Sequence, residues 1–231
     1  MIFKNFEQIF TPKTIDDIVF SSDHSRDLVN DLVSGARPFP VTEGKCGILL
    51  YGTPGTGKSA LAKLLPDAIE QARGGIAANE MYLRIQPSHN GMRMMNNVNN
   101  AAMLCPFATY SYFVLDEVDC LNIEAMKILK SVMNYPRTIW ILTTNNFAAI
   151  DAGVRDRCHC ISFNAAPAAN WLPLARRILA HASVSGISDS VLETVIAQCK
   201  GSARDITDAI IDIALTAHRK AAAAQQSLAT V

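Results

Sequence analysis

The stretch CGILLYGTPGTGKSALAKLL, residues 46–65, decides the fold. It opens as an apolar, β-prone run and closes as a helix former, and between the two lies G-x-x-x-x-G-K-S, with Gly52, Gly57, Lys58 and Ser59. A strand that turns through glycines into a helix is the context in which this spacing has a mechanical meaning. Glycines let backbone N–H groups curl around phosphate oxygens with no Cβ in the way, and the following helix adds the positive end of its dipole. The segment holding Gly52, Pro54, Gly55, Thr56, Gly57, Lys58, Ser59 and Ala60 is therefore expected to cradle nucleotide phosphates. Lys58 would place a point charge at the β and γ phosphates, and the Ser59 hydroxyl would ligate magnesium. ATP and Mg2+ are the ligands this implies.

Outward from that loop, short apolar runs alternate with helical stretches: MYLRI (81–85), YFVLD (112–116), TIWILT (138–143) and HCISF (159–163). This is the pattern of an α/β fold, a parallel sheet flanked by helices, in which ligands gather beyond the carboxyl ends of the strands. YFVLD delivers Asp116 and Glu117 to such an end. Acidic residues at strand ends are common, and it is the upstream phosphate loop that gives this pair a role. Asp116 is expected to hold magnesium through water, and Glu117 to orient and polarise an attacking water.

After Phe163 the strand signal stops. Helical stretches follow at 168–182, 188–199 and from 202 to about 225. We read residues 1–163 as a nucleotide-binding core, 164–167 as a hinge within 164–231, and that last segment as a small all-helical lid. Its Ala-rich end, AHRKAAAAQQSLATV, favours helix but offers little to pack and is expected to fray.

The chain has 231 residues, 49% apolar and 18% charged, with a formal net charge of zero. Ordinary soluble domains carry about 25% charged residues, so the low value points to surfaces covered by other subunits. Zero net charge excludes the global field of a basic nucleic-acid binder and leaves only a local patch. Arg93, Lys127 and Lys130 are the candidates for one. The cysteines, Cys46, Cys105, Cys120, Cys158, Cys160 and Cys199, include no C-x-x-C pair and fit a reduced cytoplasm. The opening MIFKNFEQIF lacks the apolar core of a signal peptide, and no run approaches the roughly 18 apolar residues of a membrane span.

Taken in order, these segments resemble the AAA+ ATPases, and within them the small subunits of sliding-clamp loaders. FTPKTIDDIV (10–19) is similar to the family's N-terminal box, which helps wall the adenine pocket, although Thr11 stands where the family has arginine. IWILTTNN (139–146) ends in Asn145, which the resemblance makes the sensor polar residue between the γ-phosphate and the Walker B acid. RDRC (155–158) is similar to the loaders' S-R-C motif and makes Arg157 the arginine finger. GSARDITDAI (201–210) resembles the start of the sensor 2 helix and makes Arg204 the lid arginine that reaches the nucleotide. The likeness covers about residues 10–215, without the loaders' helical collar or zinc module. It implies neighbouring subunits as partners, a homo-oligomer or a hetero-oligomer, with DNA and a sliding clamp as further partners and no membrane.

Plainer readings stand beside these. Asn145 could cap a turn, Arg155 could be the finger in place of Arg157, and Arg204 could be an exposed arginine at a helix start. Cys158 and Cys160 alternate on a strand and read as buried small hydrophobes, and GMRMMNN (91–97) reads as a helix start with core methionines. Three functions remain: a clamp-loader-like replication ATPase, a protein-threading motor, and a non-catalytic assembly subunit. The lack of an aromatic residue in QPSHNGMRMM (86–95) weighs against the second, and Glu117, Asn145 and Arg157 weigh against the third.

Overall fold

A computed structural model describes residues 3, 6–41, 43–104 and 108–228. Five strands form one parallel sheet: β1 (Gly47–Tyr51), β2 (Asn79–Arg84), β3 (Ser111–Asp116), β4 (Thr138–Thr144) and β5 (Cys158–Ser162). Their order is β2-β3-β4-β1-β5, so β1, which leads into the phosphate loop, lies between β4 and β5. Each expected strand is present.

Period-two alternation sorts the strand residues onto two covered faces. Ile48 and Leu50, Tyr112 and Val114, and Ile139 and Ile141 point to one face. Leu49, Phe113, Leu115, Trp140 and Leu142 point to the other. On that second face Trp140 stacks on Phe113 at 4.5 Å and donates its indole N–H to Thr138 Oγ1 at 3.0 Å, which satisfies the buried polar atom.

The helices are α1 (Phe6–Phe10), α2 (Asp23–Ser34), α3 (Lys58–Ala72), α4 (Met92–Ala102), α5 (Ile123–Val132), α6 (Ala152–Asp156), α7 (Leu172–His181), α8 (Asp189–Gln198) and α9 (Ala203–Leu228). α2 starts where the Ser22 hydroxyl accepts from Ser25 N and stops at left-handed Gly35. α2 and α3 cover the first face with Val29, Leu32, Leu61, Leu65 and Ile69, and α4 and α5 cover the second with Met95, Val98, Met126 and Leu129. Two of the methionines in GMRMMNN thus differ in fate: Met95 is buried and Met92 is exposed.

By contacts the chain divides into two units, Lys13–Asn164 and Met1–Pro12 with Ala165–Val231. The division after Asn164 lies one residue from the boundary read in the sequence, but the opening stretch groups with the helices. The reason is aromatic: Phe10 meets the His181 ring edge-on at 5.4 Å, and Phe6 meets Phe10 at 4.6 Å. Within the helical unit α9 packs on α7 and α8 through Ile206, Ile210 and Ala214. In the Ala-rich end, expected to fray, α9 continues to Leu228, with side chains described as far as residue 223; Cys105 lies outside the described residues.

Cys158 is buried and Cys160 half-buried in one cluster, while His159 faces Phe39 at 5.7 Å. Alternation separates the two sulfurs from the imidazole as expected. Among the described residues no group of three or more His, Cys, Asp or Glu could hold a metal. No helix among them is long and apolar enough to cross a membrane.

Glu70 on α3 is 1% exposed. Its carboxylate accepts from Thr109 N at 2.8 Å and Tyr112 OH at 2.7 Å. Burial pushes its pKa up, but these bonds and the Arg73 charge outweigh burial and hold it below the ordinary 4.5. A carboxyl depressed on folding adds stability that is present above its unfolded pKa and lost as pH falls through the folded one. Glu70→Gln should lower stability to urea at neutral pH by about 1–3 kcal/mol and flatten the acid limb of the stability profile. An unchanged acid limb would show that Glu70 does not contribute to it.

Candidate nucleotide site

Between β1 and α3 the chain takes left-handed backbone at Gly52 (φ 140), Gly55 (φ 79) and Gly57 (φ 102), with Pro54 and Gly55 at the turn. A Cβ on Gly52 would lie 2.5 Å from Phe163 O, so only glycine fits. Thr56 fastens the loop from below by donating to Thr53 O at 2.9 Å and Phe163 O at 2.8 Å. The first helical bond of α3 runs from Leu61 N to Gly57 O at 3.0 Å. The amides of Lys58, Ser59 and Ala60 therefore precede the ladder, where a helix has donors to offer an anion.

Lys58 is 6% exposed and folds its Nζ onto the loop, donating to Gly52 O at 3.0 Å and Thr53 O at 2.6 Å. Burial lowers its pKa, and the charges of Asp116 and Asp119 act against that. Ser59 Oγ donates to Asp116 Oδ1 at 2.7 Å, which ties the start of α3 to the end of β3. The same oxygen accepts from Thr143 Oγ1 on β4 at 2.5 Å, and Oδ2 accepts from Tyr82 OH on β2 at 3.0 Å. Burial, then the Asp116 charge, pushes the Tyr82 phenol up to about 12, so it stays a donor at neutral pH.

Glu117 follows with φ 64, a left-handed conformation that costs a non-glycine residue about 1–2 kcal/mol. Its N–H donates to Thr143 Oγ1 at 3.0 Å, and its Oε1 accepts from Arg84 Nη2 at 2.8 Å. Arg84 is Cα partner to Asp116 across β2 and β3, which aims the guanidinium at the next residue. The adjacent Thr144 hydroxyl donates to Asp119 Oδ1 at 2.8 Å.

The structure thus brings Lys58, Ser59, Asp116 and Glu117 together. Asn145 lies one residue past β4 and is exposed. Arg157 lies at the start of β5, where its Nε donates to Asn134 Oδ1 at 2.9 Å and its Nη1 to Gly153 O at 2.8 Å. Arg155 instead lays its guanidinium over the Phe147 ring at 5.0 Å, and Phe147 packs on Tyr51 at 4.3 Å. Arg204 is exposed in the first turn of α9. Within the helical unit it lines a cavity of about 510 Å³ with Phe6, Phe10, Thr11 and Asp208.

Tyr82, Arg84 and Thr143 are not identified in the sequence reading. The signal was present: Tyr82 and Arg84 alternate on β2 and so share a face, and TT closes an otherwise apolar β4 at its carboxyl end. Of the basic trio, Arg93 and Lys127 are exposed, whereas Lys130 pairs with Asp151 at 3.4 Å.

The family described as "ATPase family associated with various cellular activities (AAA)" matches residues 48–164. No curated protein matches the sequence. Among solved structures, the RuvB Holliday junction branch migration motor of Thermotoga maritima aligns over 87% of this chain at 15% identity, with a TM-score of 0.64. PCH-2 of C. elegans aligns over 84% at 18% identity, with a TM-score of 0.62. The aligned part covers 64% of the RuvB chain and 63% of the PCH-2 chain, less than two thirds of either. At these identities the likeness is one of fold: a five-stranded parallel sheet flanked by helices, with further helices after it.

Thr143→Val keeps the shape of β4 while removing the donor to Asp116 and the acceptor of Glu117 N. Both Thr143 and Asp116 are buried. We expect a loss of about 1.5–3 kcal/mol, the range for hydrogen bonds to a charged group, read by urea denaturation. A neutral result would show that the Asp116 carboxylate does not depend on β4.

Proposed function

This chain belongs to the AAA family of ATPases, and we propose that it is a magnesium-dependent ATP hydrolase acting as one subunit of a head-to-tail oligomer. The observation that carries this reading is the meeting of Ser59 and Asp116, which joins the phosphate loop to the acidic end of β3. Ser59 donates its O–H hydrogen bond to Asp116 and keeps its lone pairs for a cation. A magnesium ion bound there would neutralise charge on the β and γ phosphates.

Lys58 already points its ammonium at carbonyls of the loop, and phosphate oxygens are stronger acceptors for it. Glu117 has one oxygen held by Arg84, so it polarises water through Oε2 or after that pair opens. Asn145 would contact the γ-phosphate from the end of β4, and Arg204 would bind nucleotide from the helical unit. Arg157 is assigned as the finger acting on a neighbour's site, because both of its acceptors are neutral and leave its charge uncompensated. Arg155 is engaged with Phe147. Among the described residues Cys46, Cys120, Cys158, Cys160 and Cys199 are free thiols, which suits a cytoplasmic setting.

For the work done, we favour remodelling of a DNA-replication assembly, as the clamp-loader motif order suggests. Exposed Arg93 and Lys127 would meet the DNA backbone. A second reading, a protein partner with no DNA role, is favoured by Met92 (53% exposed) and Ile123 (73% exposed). These residues begin α4 and α5, which are tied together by Asn122 N to Asn90 O at 3.2 Å. ATPase stimulation by primed DNA that falls with salt supports the first reading, since phosphate contacts release counterions. Stimulation indifferent to DNA supports the second.

Lys58→Ala should abolish tight MgATP binding, whereas Glu117→Gln should bind ATP and retain it. Equal nucleotide affinity in folded Lys58→Ala would remove the loop from the site. Arg157→Ala should cut hydrolysis by about 10³- to 10⁵-fold with ATP binding intact. Mixing Arg157→Ala with Lys58→Ala chains should restore activity, because some interfaces then pair an intact loop with an intact arginine. No recovery despite demonstrated subunit exchange would assign the finger elsewhere.

A further inference from the structure

We propose that Tyr82 is a positioning residue for the divalent cation site, holding the second oxygen of Asp116 so that the carboxylate presents one fixed edge to the metal. The inference rests on the magnesium site proposed above. Asp116 is 3% exposed, and its Oδ1 is already taken by Ser59 at 2.7 Å and Thr143 at 2.5 Å. Those two bonds meet at a single oxygen and leave the carboxylate free to rock about it. The phenol at 3.0 Å on Oδ2 is the third point that fixes the plane.

The phenol is itself fixed. Tyr82 pairs with Val114 in register on β2, two residues before Arg84, so one strand face sends a hydroxyl to Asp116 and a guanidinium to Glu117. From the other side Lys63 Nζ sits 4.7 Å from the Tyr82 ring centroid, within cation–π range. Lys63 lies one helical turn after Ser59 on α3, so the cation that anchors the ring and the hydroxyl proposed as metal ligand belong to one helix face. The phenol, the ammonium and the serine form a frame around one carboxylate. Partners of this kind, behind a metal ligand, set metal affinity by orienting it, and removing one costs about 10- to 100-fold.

The test uses the full chain with a slowly hydrolysed ATP analogue and Mn2+ as a spectroscopic probe of the divalent site. Tyr82→Phe removes only the hydroxyl. We expect Mn2+ affinity of the nucleotide complex to fall about tenfold or more, with nucleotide affinity in EDTA unchanged and unfolding still cooperative. Saturating Mg2+ should then restore turnover, a split that a general loss of structure does not give. Lys63→Met should act in the same direction to a smaller degree. Unchanged Mn2+ affinity in Tyr82→Phe, with affinity lost in Asp116→Asn, would overturn the role of Tyr82 and leave the metal site standing. Unchanged affinity in both variants would instead overturn the metal site itself.

Discussion

The structure of the core depends on a carboxylate buried at the end of a central strand. Taking a carboxylate out of water costs several kcal/mol unless donors replace the lost hydration. Asp116 finds hydroxyl donors on three elements that surround β3: Ser59 from α3, Tyr82 from β2 and Thr143 from β4. Each of these bonds also fixes a neighbour. A slip of one residue in β2 or β4 would turn the hydroxyl to the opposite face and leave the charge unsolvated. The placing of the loop before α3 and the register of the sheet are therefore enforced by one carboxylate.

That constraint also explains how strain is carried next to it. Glu117 has a left-handed backbone where no glycine stands. Such a residue persists when its surroundings over-determine it. Its N–H is held by the Thr143 hydroxyl, which also serves Asp116, and its carboxylate is held by Arg84. Arg84 thereby occupies one of the two carboxylate oxygens. Thr143 is the shared element, so Asp116 and Glu117 are positioned by one side chain.

Much of this was legible in the sequence, and for a physical reason. Strands covered on both faces read as unbroken apolar runs, and a glycine loop between a strand and a helix has few alternatives, so the sheet, Lys58, Ser59, Asp116 and Glu117 could be placed by position alone. Tyr82 and Arg84 could not, because their meaning depends on which strand lies beside β3. The order β2-β3-β4 is a tertiary fact that no local pattern carries. That residues 1–12 group with the helices was not legible for a similar reason. Nothing local in FEQIF shows what it packs against; the rings of Phe6, Phe10 and His181 do. Lys130, a candidate for a basic patch, is paired with Asp151 from a later segment.

The two arginines of RDRC are separated by the same parallel geometry. Lys58, Asp116 and Glu117 all lie at or just beyond the carboxyl ends of the strands. Arg157 precedes β5, whose first residue, Cys158, pairs with Gly47 at the amino end of β1, and its carbonyl accepts from both Cys46 N and Gly47 N at 3.0 Å. The length of β1, five residues, separates that end from the phosphate loop, about 16 Å at the rise of a parallel strand. An arginine side chain anchored there does not span that distance to its own loop. Arg155 is different, because its guanidinium rests on Phe147, which packs on Tyr51 at the carboxyl end of β1 beside its own loop. Geometry within one subunit thus leaves Arg155 on the side of its own nucleotide site and Arg157 on the far side. Any phosphate within reach of Arg157 would therefore lie away from its own loop.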